Sequence, residues 1–194
     1  MRRSRGLLLA VLASCAAIVG VLLVAALHGE KAPRVDLEAG MPAPALEGSA
    51  VRGGDVNLAR LRGHVVLVSF LNTRAEATVE GDPSRAQIVF LRSMQTQHER
   101  RGLRTVVVDA AELAGSGSPS RDDLVNYTYD WNLDPAIAVL RDNGALARKF
   151  GVTQAPTTFL IGPDGVVRKR WDGFAPAAQL DFAIRALEGR SPTD

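Results

Sequence analysis

Residues 65–78 read VVLVSFLNTRAEAT. The first six, VVLVSF, form a continuous apolar run of the kind that serves as a central parallel strand covered on both faces. The run opens into a polar loop, LNTRAEAT, and the end of a buried strand is where α/β proteins commonly present reactive groups. This loop contains no thiol and no imidazole. The sequence therefore shows the approach to a site whose obvious chemistry is missing.

Working outward, LRTVVVD at 103–109 reads as a second buried strand and IAVL at 137–140 as a short third. Asp82, Pro83 and Ser84 open a helix that runs to 101, with the proline in its first turn and Gly102 as its stop. Ile88, Leu91 and Gln95 lie at helical spacing within it, with Phe90 and Met94 beside them. AGSGSPS at 114–120 is a flexible loop. Ser120 then starts a helix, and Asp123 three residues on completes a capping-box pattern.

DNG at 142–144 is a turn, followed by a brief helix over 145–150 closed by Gly151. Residues 157–161 and 166–171 pair across the turn GPDG. The last helix spans 176–187, with Leu180, Ile184 and Leu187 on one face. Upstream, 41–46 is extended around Pro42 and Pro44, and VRGGDV at 51–56 reads as a hairpin with a Gly-Gly turn. Strand, helix, strand, helix, hairpin and helix make an α/β sandwich with a mixed central sheet flanked by helices.

The 194 residues suffice for one core. Arg2, Arg3 and Arg5 supply three of the 23 basic residues, and no acid precedes Glu30. From His28 onward 20 basic residues meet 21 acidic ones, which leaves no basic face for nucleic acid. LLLAVLASCAAIVGVLLVAAL at 7–27 is uncharged throughout. As a helix it covers roughly 30 Å, the hydrocarbon thickness of a bilayer. The arginines before it favour a cytoplasmic N-terminus and an outer C-terminal domain.

These features predict a basic tail at 1–6, one transmembrane signal anchor at 7–27, a linker at 28–40, a domain at 41–190 and a tail at 191–194. The expected location is a bacterial cell membrane, crossed once, with the domain extracytoplasmic. Leu12, Ala13, Ser14 and Cys15 also resemble a lipobox, which makes Cys15 a lipidation candidate, and cleavage near Ala26 is a third alternative. Cys15 is the only cysteine. The domain accordingly has neither a disulfide of its own nor a cysteine-ligated metal.

From Gly40 to about Gly189 the chain resembles the thioredoxin-like fold, closest to TlpA-type thiol-disulfide oxidoreductases and the wider redoxin group. Four segments carry the resemblance. NLARLRG at 57–63 is similar to the family's entry into its first core strand, and VVLVSF to that strand. FGVTQAPTTFLI at 150–161 is similar to its cis-proline loop and the strand after it. DGVV at 164–167, followed by Gly173, is similar to its closing hairpin.

In that family the strand leads to F-W-A-T-W-C-P-P-C, with a proline five residues after the second cysteine. Five residues on from Phe70 is Ala75, and five back from Pro83 is Thr78. The C-x-x-C spacing is intact while both cysteine positions hold other residues. Leu71 and Arg74 stand where the flanking tryptophans would be.

A C-x-x-C works because the first thiol, acidified at a helix N-terminus, attacks a disulfide and is resolved by the second. Ala75 has no nucleophile, and the Thr78 hydroxyl cannot form a disulfide. His64 and His98 read as structural, and Glu76, Glu80 and Asp82 as a solvated acidic helix start. Ser116 and Ser118 belong to a linker. No catalytic residue, cofactor or metal is assigned.

What the resemblance implies for the site is a groove, formed by Thr73, Arg74, Ala75 and Thr78 on one side and Ala155 and Pro156 on the other. Such a groove binds an extended segment through backbone hydrogen bonds. The first functional expectation is a non-catalytic binding or scaffold module with a protein partner outside the cytoplasm. The second is the family's redox activity, as a thiol-disulfide oxidoreductase or peroxidase-type protein in envelope or cytochrome maturation. A carrier of a small ligand or metal in the same cleft is the third.

Overall fold

The structure is a computed structural model that describes residues 37–74 and 82–188. The expected anchor at 7–27, Cys15, Ala75, Glu76, Thr78, Glu80 and the tail at 191–194 lie outside those residues. Among the described residues, no helix is long and apolar enough to cross a membrane.

The chain begins with a small antiparallel pair, β1 (Glu47–Ser49) and β2 (Asp55–Asn57). A 3-10 turn, Leu58–Leu61, leads to β3 (Val66–Leu71), and α1 follows at Pro83–His98. Then come β4 (Arg104–Asp109), a 3-10 turn at Ala111–Ala114, α2 (Arg121–Asp130), β5 (Ile137–Leu140) and α3 (Ala145–Lys149). β6 (Thr157–Ile161), β7 (Val167–Asp172) and α4 (Ala177–Arg185) complete the domain. The main sheet has the order β5-β4-β3-β6-β7. β3, β4 and β5 run parallel, and β6 and β7 antiparallel, so the sheet is mixed as the element order predicts.

Every residue of β3 is buried, which accounts for its unbroken apolar pattern. Alternation along the strands divides the core in two. Leu67, Leu71, Val107, Val139 and Leu160 face Ile88, Leu91 and Met94 of α1, Leu124 of α2 and Leu180 and Ile184 of α4. Val66, Val68, Phe70, Val106, Val108, Phe159 and Ile161 face the other way, toward Ala147 and Phe150. There Phe150 stacks obliquely on Phe70 and Phe159, with ring centroids 5.4 Å away in each case.

Two local readings change in detail. The hairpin strands are Glu47–Ser49 and Asp55–Asn57, so VRGG at 51–54 lies in the turn between them and only DV belongs to a strand. Val51 leaves the hairpin because its N–H donates to Val139 O at 2.9 Å, tying it to β5. Gly53 and Gly54 both take positive φ, 89° and 95°. The helix α1 ends at His98 and tightens into a 3-10 turn, Glu99–Arg101, before Gly102 reverses the chain at φ 94°. The folded body reaches back to Leu37, which is buried against the second core.

Candidate functional site

Strand register brings the site together. Leu71, the last residue of β3, pairs with Asp109, the last of β4. On its other side β3 pairs with β6 antiparallel, ending at Phe70 opposite Thr157. One further step along that register sets Pro156 beside Leu71. The turn at 72–74, the Asp109 carboxyl and the Ala155–Pro156 segment thus share one end of the sheet. The first and last of these segments are more than eighty positions apart in the chain.

Hydrogen bonds hold the turn to its surroundings. The Asn72 N–H donates to Ser84 Oγ at 3.1 Å, linking the strand end to the first turn of α1. Asn72 Oδ1 accepts from the Arg74 N–H at 3.2 Å. Thr73 Oγ1 donates to Asp109 Oδ1 at 2.5 Å. Asp82 caps α1 by accepting from the Ser84 N–H at 2.7 Å. Hydrogen bonds from Ser120 hold the Asp123 carboxyl of α2 below the usual range, and the charge of the Arg74 guanidinium adds to them.

Opposite the turn, the Ala155–Pro156 peptide is cis. Pro156 O accepts from the Gly173 N–H at 2.8 Å, and Gln154 O accepts from Thr157 Oγ1 at 2.9 Å. Among the described residues, no hydrogen bond reaches the Ala155 N–H or C=O. Beneath the site, Ser69 Oγ and Thr158 Oγ1 pair at 2.8 Å, wholly buried.

Strand register sets Thr73, Arg74, Ala155 and Pro156 at one end of the sheet. The structure also supplies a residue that the sequence reading passed over, Asp109. The only signal in the sequence is a carboxylate closing an otherwise apolar strand. Asp109 is 1% exposed. Burial pushes its carboxyl above the ordinary range, opposed by hydrogen bonds from Thr73 and Ala111. Tyr127 of α2 is likewise pushed up, by burial first and then by the charges of Asp109 and Asp82.

The two histidines among the described residues lie elsewhere. His64 Nδ1 stands 3.1 Å from Gly102 O, at the opposite end of β3. His98 is buried between Asp181 and Glu188. Among the described residues, no group of three or more histidine, cysteine or acidic side chains is arranged to hold a metal. A cavity of about 410 Å³, lined by Arg52, Glu99, Arg104 and Pro135, opens at the other end of β4.

Comparison with known proteins agrees with this geometry. The chain is 22% identical over 151 residues to thiol-disulfide oxidoreductase ResA of Bacillus thuringiensis subsp. konkukian, covering 78% of this chain and 79% of the relative. ResA of Bacillus cereus matches to the same extent. A thioredoxin-family thiol:disulfide interchange protein from Chlorobium tepidum superposes with a TM-score of 0.64 at 24% identity, over 80% of this chain and 100% of that one. A secreted thiol-disulfide isomerase from Corynebacterium glutamicum gives 0.63 at 16% identity, over 76% and 86%. The fold is thioredoxin-like. With the AhpC/TSA family profile matching residues 39–170, from just before the first bridge into β7, the chain belongs to the AhpC/TSA family.

Proposed function

We propose that this chain is a membrane-tethered, extracytoplasmic binding module, an AhpC/TSA-family domain that holds an extended segment of a partner protein and exchanges no disulfides. The observation that carries the reading is the cysteine count. The one cysteine, Cys15, lies upstream of the family match at 39–170, so the matched domain has no thiol with which to attack. Disulfide exchange requires a thiolate to displace a sulfur and a second thiol to release the mixed disulfide. At the described end of the sheet the hydroxyls of Thr73, Ser69 and Thr158 have no imidazole beside them to take a proton.

Binding is supported by what the site keeps. The N–H and C=O of Ala155, without a hydrogen bond among the described residues, support a reading in which they add one rung of main-chain pairing to an extended partner segment. Thr73 and Arg74 form the facing wall, with Ala75 and Thr78 assigned to it from their place in the sequence. Tethering rests on the apolar stretch at 7–27 and the three arginines ahead of it.

In an insulin-reduction assay the purified protein is expected to leave the rate at that of buffer. A rate above buffer ends the non-catalytic reading. A photoreactive residue at position 75 is expected to label one discrete partner, and R74E to abolish that product. Unselective labelling, unchanged in R74E, removes the groove.

A further inference from the structure

His98, the last residue of α1, sits in an arrangement that a neutral histidine does not satisfy. Its ring is buried, with Glu188 Oε1 2.5 Å from Nδ1 and Asp181 Oδ1 2.8 Å from Nε2. A carboxylate only accepts hydrogen bonds, and a neutral imidazole has a single N–H to give. With a neutral ring, one nitrogen would turn its lone pair on a carboxylate oxygen at this distance, buried and with no proton between them. Both contacts are hydrogen bonds when the ring carries two protons.

The surrounding charges fit that state. On α4, Arg185 Nε donates to both oxygens of Asp181 at 2.9 Å each. Those bonds first, and the contact with His98 after them, hold the Asp181 carboxyl below its usual range. Glu188 follows the end of α4, and its second oxygen accepts from Arg101 Nη1 at 2.9 Å, from the 3-10 turn after α1. Both arginine side chains are 56% exposed, whereas the His98 ring is 1% exposed. Among the described residues, Asp181 and Glu188 are the ion-pair partners of the ring, and Arg101 and Arg185 are the cations paired with them. A proton shared between His98 and Glu188 belongs on the ring, because an imidazole is the stronger base by roughly a hundredfold.

We propose that His98 is a buried imidazolium and a proton-dependent pin: doubly protonated, it fastens Glu188 and the end of α4 to α1, and loss of the second proton unfastens Glu188. Glu188 is the partner that gives way, since Asp181 lies in the middle of α4 and Glu188 beyond its last residue. The N–H groups of Ala186, Leu187 and Glu188 close the final turn onto Phe182 and Ile184. Without the pin, that turn keeps the buried Leu187 as its hold on the core. The pin is set while the ring keeps its second proton and is released as pH rises far enough to remove it. It lies at the opposite end of α1 from Asp82 and the candidate site, and it stands apart from the binding reading.

The test is made on the full-length protein in detergent, with the histidine rings labelled with nitrogen-15. At neutral pH His98 is expected to show two ring N–H signals by NMR. As pH is raised to 10, the Nδ1–H signal should vanish and the Nε2–H signal remain. Amide exchange at 186–188 should accelerate at least fivefold beyond the intrinsic base-catalysed rise over the same interval.

E188Q places an amide that can itself donate to Nδ1, so a neutral ring satisfies both contacts. The variant is expected to give up the second ring N–H at least one pH unit earlier, with exchange at 186–188 following the intrinsic rise alone. A single ring N–H at neutral pH in the unaltered protein overturns the imidazolium. Two signals that persist to pH 10, or an E188Q profile that matches the unaltered protein, overturn the pin. Each of these results leaves the insulin and crosslinking tests of the groove untouched.

Discussion

At the scale of single residues, the Ser69–Thr158 hydroxyl pair shows how this site is held without charge. Both side chains are fully buried between β3 and β6, and each satisfies the other. S69A strands the Thr158 hydroxyl in the core and should cost roughly 1–3 kcal/mol. T158V strands Ser69 in the same way. The double variant removes both polar atoms together, so its cost should fall well below the sum of the two, which urea unfolding of all three proteins measures. Additive losses would mean that the hydroxyls are satisfied separately and that the pair is incidental.

Among the elements, the helix starts follow local rules that the sequence displays. Ser120 Oγ accepts from the Asp123 N–H at 3.1 Å, and the Ser120 N–H donates back to Asp123 Oδ2 at 2.9 Å. These bonds hold the Asp123 carboxyl below the usual carboxylate range. A group depressed on folding contributes stability present above its unfolded value and lost as pH falls through the lower folded one. S120A is therefore expected to move the Asp123 midpoint up toward about 3.9, as read from its carboxyl shift, and to flatten that part of the acid limb. An unchanged midpoint would assign the shift to the Ser120 backbone N–H, which the substitution leaves in place.

Such caps, the 3.6-residue spacing of α1 and the apolar run of β3 were legible because each is settled within a few residues. The first hairpin was legible only as a Gly-Gly turn. Its strands are set by Val51 pairing with Val139, a contact 88 positions away that no local pattern encodes. Asp109 escaped for the same reason. Its partners Thr73 and Tyr127 come from separate elements, and only their packing makes the carboxyl unusual. The positions assigned to the proposed groove come from the spacing from Phe70 to Pro83 and from the proline at 156, which are properties of the chain alone.

For the whole molecule, closure of the domain depends on α4 returning to α1, and His98 makes that joint. The ring is 1% exposed, with Asp181 Oδ1 at 2.8 Å from Nε2 and Glu188 Oε1 at 2.5 Å from Nδ1. H98A should lower the unfolding free energy by about 2–3 kcal/mol, through lost packing and two lost hydrogen bonds. R185A, which removes only an exposed partner of Asp181, should cause no measurable change. If this scaffold keeps the shape of a dithiol turn at its sheet end, it should accept cysteines there. The double variant A75C/T78C tests this most directly. A disulfide needs its two Cα atoms about 4.4–6.8 Å apart, a separation that a preserved C-x-x-C turn provides. The variant is expected to lose both thiols to a thiol reagent after mild oxidation, without dimerising, and to reduce insulin where the unaltered chain does not. Two thiols that stay free under oxidation would place positions 75 and 78 outside such a turn, and the reading of LNTRAEAT as a dithiol loop without sulfur would fail with them.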